Sequence, residues 1–411
     1  MSIFNAIALI GGLALFLYGM NLLGEGLSKT SGGKLESILE KLTSNPIKGV
    51  LLGAGVTAVI QSSSATTVMV VGFVNSGIMK LHQAVGIIMG ANIGTTATSW
   101  LLSLTGIQGD SFFINMLKPM SFSPILAIIG VIMIMFCKKE KKHDIGKILV
   151  GFAILMYGME AMSSAVKPLA DVPEFTHILT MFSNPVLGML AGLVLTAIIQ
   201  SSSASVGILQ ALCATGSVTF ATALPIIMGQ NIGTCVTAMI SAIGAKKNAK
   251  RAALVHLYFN IIGTLVFMCL FYFINAFIHF EFLSQGATPV GIATIHSVFN
   301  IFATIILLPF GKGLEKLACL SVRDDKEREE TIDANRDFDL LDERFLDKTS
   351  LAMEHCRMVT NNMADLSREA LFKSLDLFSD FSEEKAGDVC DIEERVDKYE
   401  DVLGTYLMKL S

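Results

Sequence analysis

The sequence predicts an all-α polytopic membrane protein, with two inverted repeats that contain re-entrant helical hairpins and a cytoplasmic helical tail. Three observations lead to this fold class. The chain has 411 residues, of which 52% are hydrophobic and only 16% charged, whereas soluble domains carry about 25% charged residues. One long segment occurs twice at a fixed separation. The charged residues are concentrated at one end, since 38 of the 67 lie from Ser321 onward.

The charge distribution divides the chain into two unlike parts. Residues 1–320 carry 18 basic and 11 acidic side chains, and residues 321–411 carry 13 and 25. An acidic tail argues against a nucleic-acid partner, because the phosphate backbone would repel it. The seven cysteines show neither a CxxC pair nor a zinc-like spacing, so we interpret them as small packing residues.

The first element is an apolar run from Ile3 to Leu23 without a preceding basic region or a clear cleavage site. These features predict a membrane helix and not a removed signal peptide. Three lysines follow this run, at positions 29, 34 and 41. Basic loops remain in the cytoplasm, so we expect the N-terminus outside and the C-terminal tail inside.

The repeat is the most informative pattern in the chain. Residues 44–65 recur at 183–204, an offset of 139, with 14 identities in 22 positions. The same offset relates 89–95 to 228–234 without a gap. One register kept over this length indicates a duplicated unit.

The loops between these elements indicate that the second unit is inverted. The lysine-rich segment 137–147 is expected inside, whereas loop 167–184 contains Asp171 and Glu174 and one basic residue, and is expected outside. Equivalent loops therefore lie on opposite sides of the membrane. Inverted repeats are typical of transporters with a site at the bilayer midplane.

Periodicity and charge then give the order of elements. Predicted helices lie near 3–23, 122–137, 148–166, 252–279 and 289–310, and in the tail at 338–378 and 383–410. The units are a first repeat (1–136), a basic linker (137–147), a second repeat (148–245), a final transmembrane hairpin (246–315), a charged linker (316–337) and the tail (338–411). In addition, polar clusters interrupt four apolar segments, at 47–77, 81–104, 186–216 and 222–244. Arms of about 14 residues are too short to cross a core of about 30 Å, which predicts re-entrant hairpins.

Two polar tetrads interrupt the hairpins: Gln61, Ser62, Ser63 and Ser64, and Gln200, Ser201, Ser202 and Ser203. Unwound backbone at membrane depth occurs only where it is buried in protein or lines a water-filled cavity. A broken helix offers carbonyls to a cation and amides to an anion, and serine hydroxyls serve either. One serine alone would more often support helix packing, but two tetrads in matching positions favour a binding site.

A second duplicated cluster follows each tetrad after 31 residues. It predicts four further site residues, Asn92, Thr95, Asn231 and Thr234, where glycine would permit a helix break. No lysine or arginine occurs in 49–79 or 168–245, so an anion there would lack a basic partner. Because an unpaired buried charge is costly, cation-coupled anion transport is more natural than anion uniport.

One further acidic residue and two His–Asn pairs lie in predicted membrane segments. Glu160, equivalent to Asn21, is either an intramembrane functional carboxylate or a residue at the outer interface. The pairs His256–Asn260 and His296–Asn300 stand one helical turn apart. We interpret these pairs as packing or interhelical hydrogen-bonding groups.

Paired QSSS tetrads, each followed by a GxNIGT segment, resemble the type II sodium–phosphate cotransporter family over about residues 1–315. The resemblance implies sodium-driven phosphate import through the cell inner (plasma) membrane, with substrate and sodium held between the tetrads. It implies sodium as the coupling ion and no other cofactor; the partners are phosphate, sodium, lipid and, as a candidate, a second copy. A carrier of another small oxyanion and a membrane-anchored phosphate-status regulator stay as alternatives. An enzyme is not expected, because no GxSxG elbow occurs.

The tail resembles the opening helices of a PhoU-like domain. Glu393 and Asp397 form an ExxxD pattern similar to the metal-binding motif of PhoU proteins. Carboxylates four residues apart share one helix face, so they form a candidate metal site, with a solvated acidic face as the alternative.

Overall fold

The computed structural model describes residues 3–30, 45–77, 79–106, 118–323, 337–346, 349–378 and 381–410. Within these ranges the chain is helical, with short 3-10 turns and one isolated β-bridge between Thr219 and Gly286. Seven of the described helices are long and apolar enough to cross a membrane. The predicted all-α polytopic fold class is confirmed. The lysines at 34 and 41 and much of the charged linker lie outside the described residues.

The first unit contains α1 (Ile3–Thr30), α2 (Pro46–Ile60), α3 (Ser63–Asn75), α4 (Leu81–Ser103) and α5 (Pro119–Phe136). The second contains α6 (Glu140–Val166), a short α7 (Pro173–Met181), α8 (Pro185–Ile199), α9 (Ser202–Leu212) and α10 (Phe220–Ser241). Helices α11 (Lys247–Ile278), α12 (Pro289–Leu307) and α13 (Gly311–Ser321) follow, and the tail contains α14 (Thr349–Asp376) and α15 (Glu383–Leu410).

Several predicted elements differ from the structure. The expected basic linker 137–147 is mostly helix, because α6 already begins at Glu140, an acidic residue suited to a helix N-terminus. The first tail helix begins at Thr349 and not at 338, since 338–340 and 343–345 form 3-10 turns. Helices α4 and α10 run unbroken through Asn92 and Asn231; Gly94 and Gly233 allow close packing and do not break the helix.

Helices α1 and α6 pack closely along small residues. A methyl group added at Gly12 would lie 2.8 Å from the backbone N of Met162, and one at Gly26 would lie 2.7 Å from Cγ1 of Ile148. The residue numbers in contact run in opposite directions, so the two helices are antiparallel. Small residues permit such an approach of two backbones.

Helices α2 and α3 form a hairpin with residues 61 and 62 at its tip. Helix α2 runs parallel to α4, because Gly86 contacts Pro46 O and Gly94 approaches Ala54 O. Helix α3 ends six residues before α4 begins, and the start of α4 lies beside the start of α2. Helix α3 therefore runs back, antiparallel to α2. Helices α8, α9 and α10 repeat this arrangement, with Gly233 against Leu193 O. Each arm, at 1.5 Å per residue, is about 20 Å long and shorter than a bilayer core.

Candidate functional site

The two hairpin tips have nearly identical backbone geometry. Gln61 and Gln200 end α2 and α8 in the left-handed region, with φ of 61° and 57°, where residues other than glycine are uncommon. Ser62 and Ser201 then cap the next helices. Their Oγ atoms accept from the backbone N of Ala65 at 3.1 Å and of Ala204 at 3.2 Å.

Both tips line one cavity of about 460 Å³. All eight residues of the tetrads contribute to its wall, namely Gln61, Ser62, Ser63, Ser64, Gln200, Ser201, Ser202 and Ser203. Helices α3 and α9 begin there, and the first amides of a helix have no partner within the helix. Helices α2 and α8 end there with their last carbonyls. The cavity therefore combines two positive helix ends with oxygen ligands.

Helix α1 supplies the remaining wall of the cavity, including Asn21, Glu25 and Lys29. All three side chains are exposed, so the cavity opens beside the C-terminal end of α1. A basic side chain, Lys29, therefore shares the wall of the cavity with the tetrads; whether an anion there has a basic partner stays a prediction. A search for basic residues near the tetrads in sequence misses Lys29, because only the packing of α1 on the first hairpin brings it there.

The duplicated Asn and Thr residues of α4 and α10 do not line this cavity. Asn92 Nδ2 donates to Ile88 O and Asn231 Nδ2 to Ile227 O, both at 2.9 Å. Thr95 and Thr234 Oγ1 donate to Ala91 O at 3.1 Å and to Gln230 O at 2.9 Å. All four side chains are buried and bond to the preceding turn of their own helix. A ligand-binding role for them stays a prediction.

Comparison with known proteins decides the family. The model of the Na+/Pi-cotransporter family matches residues 15–164 and 154–289, which together make up more than half of the chain. The chain belongs to the Na+/Pi-cotransporter family. Membership identifies it as a transporter and not an enzyme.

Several relatives of this chain are known. It is 29% identical to the uncharacterized protein YqeW of Bacillus subtilis (strain 168), over 72% of this chain and 91% of YqeW. It is 26% identical to "Putative inorganic phosphate export protein YjbB" of Escherichia coli (strain K12), over 88% of this chain and 63% of YjbB. It is 36% identical to the sodium-dependent phosphate transport protein 2A of Rattus norvegicus, over 23% of this chain and 15% of that protein. No solved structure matches significantly.

One histidine of the chain links the two repeats. His296 of α12 contacts Ser99 Oγ through Nδ1 at 2.7 Å and Asn231 Oδ1 through Nε2 at 3.4 Å. An amide Oδ1 only accepts, so Nε2 carries the proton and Nδ1 accepts from the serine. Interhelical hydrogen bonding by His296 is thus confirmed. Asn300 bonds within its own helix, to His296 O.

Glu160 and the tail carboxylates lie away from this cavity. Glu160 is exposed and accepts from Ser164 Oγ at 3.3 Å; it does not line the cavity, and both interpretations of it stay open. Glu393 and Asp397 are exposed on α15. Over the described part of the chain, no three His, Cys, Asp or Glu side chains are grouped to hold a metal, so metal binding stays a prediction.

Proposed function

We propose that the chain is a sodium-coupled inorganic phosphate symporter, which holds phosphate and sodium between the two QSSS tetrads. The observation that carries this proposal is the shared cavity. It brings two helix N-termini, the six serines of the tetrads and Lys29 to one place. Amides at helix N-termini and a lysine suit an oxyanion, and helix-end carbonyls with hydroxyls suit sodium.

The cavity also has a suitable size. Its volume of about 460 Å³ falls within the range of about 300–1,000 Å³ found for small-molecule sites. Ser63, Ser202 and Ser203 are buried at its inner end, where their hydroxyls would replace lost water. Phosphate and a sodium ion together would fill only part of this space, which leaves room for bound water.

Alternating access would follow from the inverted repeat, which the packing of α1 and α6 supports. Gly12 approaches Met162, and Gly151 approaches Leu23. With the offset of 139, residue 151 corresponds to 12 and residue 162 to 23, so the two contacts are reciprocal. Equivalent antiparallel helices in reciprocal contact are related by a local two-fold axis perpendicular to their length. In a bilayer such an axis lies in the membrane plane.

The direction of net transport would follow the combined gradients of sodium and phosphate. The family resemblance implies uptake, and an inward sodium gradient would drive it. Export is the second candidate, because YjbB, whose alignment covers 88% of this chain, is named for phosphate export. A carrier of another oxyanion would use the same cavity.

The test is uptake of radiolabelled phosphate into proteoliposomes under an inward gradient of sodium or of potassium. We expect uptake with sodium only, and a loss of at least tenfold in Ser63→Ala, Ser202→Ala, which removes one hydroxyl from each tetrad. Efflux from preloaded vesicles measures export in the same preparation, and labelled sulfate tests the wider oxyanion class.

A matched control is Ser76→Ala, Ser217→Ala, which changes two serines beyond the far ends of α3 and α9 and outside the cavity. This variant should transport at the wild-type rate. Uptake that is equal with sodium and potassium would disprove the coupling. Equal activity of both double variants would disprove the site.

A further inference from the structure

Over the ranges that the structure describes, the charged residues at the mouth of the cavity all belong to α1. Asn21, Glu25 and Lys29 lie at successive turns of α1 and line the same wall. Asn21 Nδ2 donates to Glu25 Oε1 at 2.9 Å. Of the residues that the structure describes, none forms an ion pair with Lys29.

The second repeat does not reproduce this mouth. With the offset of 139, Glu25 corresponds to Ser164 and Lys29 to Pro168, and no residue of α6 lines the cavity. The tetrads are duplicated, but the second repeat has Pro168 at the position of Lys29, and its neighbour Lys167, which corresponds to Ser28, does not line the cavity. A lysine in the last turn of a helix also interacts favourably with the helix dipole. The interaction with the helix dipole does not by itself explain why Lys29 lines the same cavity as both tetrads.

We propose that Lys29 binds the transported anion directly and makes the site asymmetric. The anion is held more tightly when the cavity opens beside α1 than when it opens toward the opposite side. This inference rests on the proposed function and adds a residue that neither tetrad contains.

The electrostatics of the mouth favour this role. Each helix N-terminus at the tips contributes about half a positive charge, and the C-terminal ends of α2 and α8 at the same tips contribute about half a negative charge each. The helix ends together therefore leave most of the charge of an anion to be offset by other groups. Without Lys29, Glu25 would be the remaining formal charge on the wall and would repel an approaching anion. Lys29 offsets Glu25, and a sodium ion beside the carboxylate would add to the attraction.

The first test is binding of radiolabelled inorganic phosphate to the purified full chain in detergent at saturating sodium. Lys29→Gln should weaken phosphate binding at least tenfold, equivalent to about 1.4 kcal/mol, and Lys29→Arg should retain most of it. Lys48→Gln removes an exposed lysine at the start of α2, outside the cavity, and should bind like the wild type.

The second test measures the two faces separately, in proteoliposomes whose orientation is determined by protease access to the acidic tail. Lys29→Gln should raise the half-saturating phosphate concentration on the face beside the C-terminal end of α1, and raise it much less on the other. Equal phosphate binding by Lys29→Gln and the wild type would overturn the inference. It would also be overturned if Lys29→Arg lost as much phosphate binding as Lys29→Gln while its thermal midpoint stayed unchanged. A wild-type chain that neither binds nor transports phosphate would instead disprove the proposed function.

Discussion

The two tip glutamines share a backbone conformation but differ in how their side chains are held. Gln61 Nε2 donates to Ala58 O, and its Oε1 accepts from Thr98 Oγ1 at 3.0 Å. The side chain of Gln200 is exposed and has no hydrogen-bond partner over the ranges that the structure describes. The side chain of Gln61 is therefore held against α4, whereas among the described residues no such contact holds the side chain of Gln200.

The two threonines at equivalent positions make this difference testable. Thr98→Val removes the donor to Gln61 and leaves its Oε1 unpaired, which should cost about 1 kcal/mol of stability and weaken phosphate binding a few-fold. Thr237→Val removes a buried hydroxyl that has no partner, so it should be neutral or slightly stabilising. Thermal unfolding in detergent measures both, and equal midpoints for the two variants would contradict the asymmetry.

Residue-scale prediction from sequence succeeded where the repeat supplied the argument. The offset of 139 paired the tetrads, and the structure places both in one cavity. Lys29 was missed because its place in the wall depends on the packing of α1 on the first hairpin. There Gly24 lies close to Ile60, and a Cβ added at Gly24 would be 3.1 Å from Ile60 O. No local pattern contains that contact.

At the scale of elements, α3 connects the cavity to the tail. Its first residues belong to the QSSS tip, and its last residue, Asn75, donates to Asp342 Oδ2 at 3.0 Å. Phe345 packs on the same end of the helix, with its ring centroid 5.7 Å from that of Phe73. Since a helix of 13 residues is short and stiff, movement of the tip would be transmitted to the tail.

A glycine in α3 provides the space for this tail contact. A methyl group at Gly72 would lie 2.7 Å from ring carbons of Phe345, and the second repeat has Ala211 at the equivalent position. Gly72→Ala should therefore displace Phe345, at a cost of about 1–3 kcal/mol, and speed hydrogen exchange in residues 337–346. Gly55→Ala, where nothing lies within 4 Å, is the control. Unchanged exchange in Gly72→Ala would show that the contact does not hold the tail.

Element boundaries were predictable where hydropathy changes sharply and not where small residues serve packing. The apolar arms around each tetrad gave both hairpins correctly. The NIGT segments resemble helix breaks in composition. However, a Cβ added at Gly94 would lie only 2.6 Å from Thr57 Cβ, so this glycine lets α2 pack against α4. Sequence alone does not distinguish a glycine that breaks a helix from one that lets a second helix approach.

At the scale of the whole molecule, the repeat gives one cavity that opens on one side. Its mouth is lined by α1, whereas the equivalent surface of α6 is outside it. If the two repeats exchange conformations during transport, the opposite mouth would be lined by the α6 residues that correspond to α1, among them Glu160. Access would then alternate by movement of the hairpin tips relative to α1 and α6.

This movement predicts that a fixed distance between α1 and the first tip stops transport. Gly24→Cys and Ile60→Cys, joined by a short bifunctional thiol reagent in a background without the accessible native cysteines, should reduce phosphate uptake at least tenfold. Gly12→Cys and Ala161→Cys join α1 to α6, where an added Cβ lies 3.0 Å from Ala161 Cβ. Because an added Cβ at Gly12 also lies 2.8 Å from Met162 N, uptake by this cysteine pair is first measured without the reagent. The crosslink should leave that rate nearly unchanged, because the proposed movement does not separate α1 from α6. Full activity of the first crosslinked protein would mean that the hairpin does not move against α1, and that the cavity opens to the other side by another route.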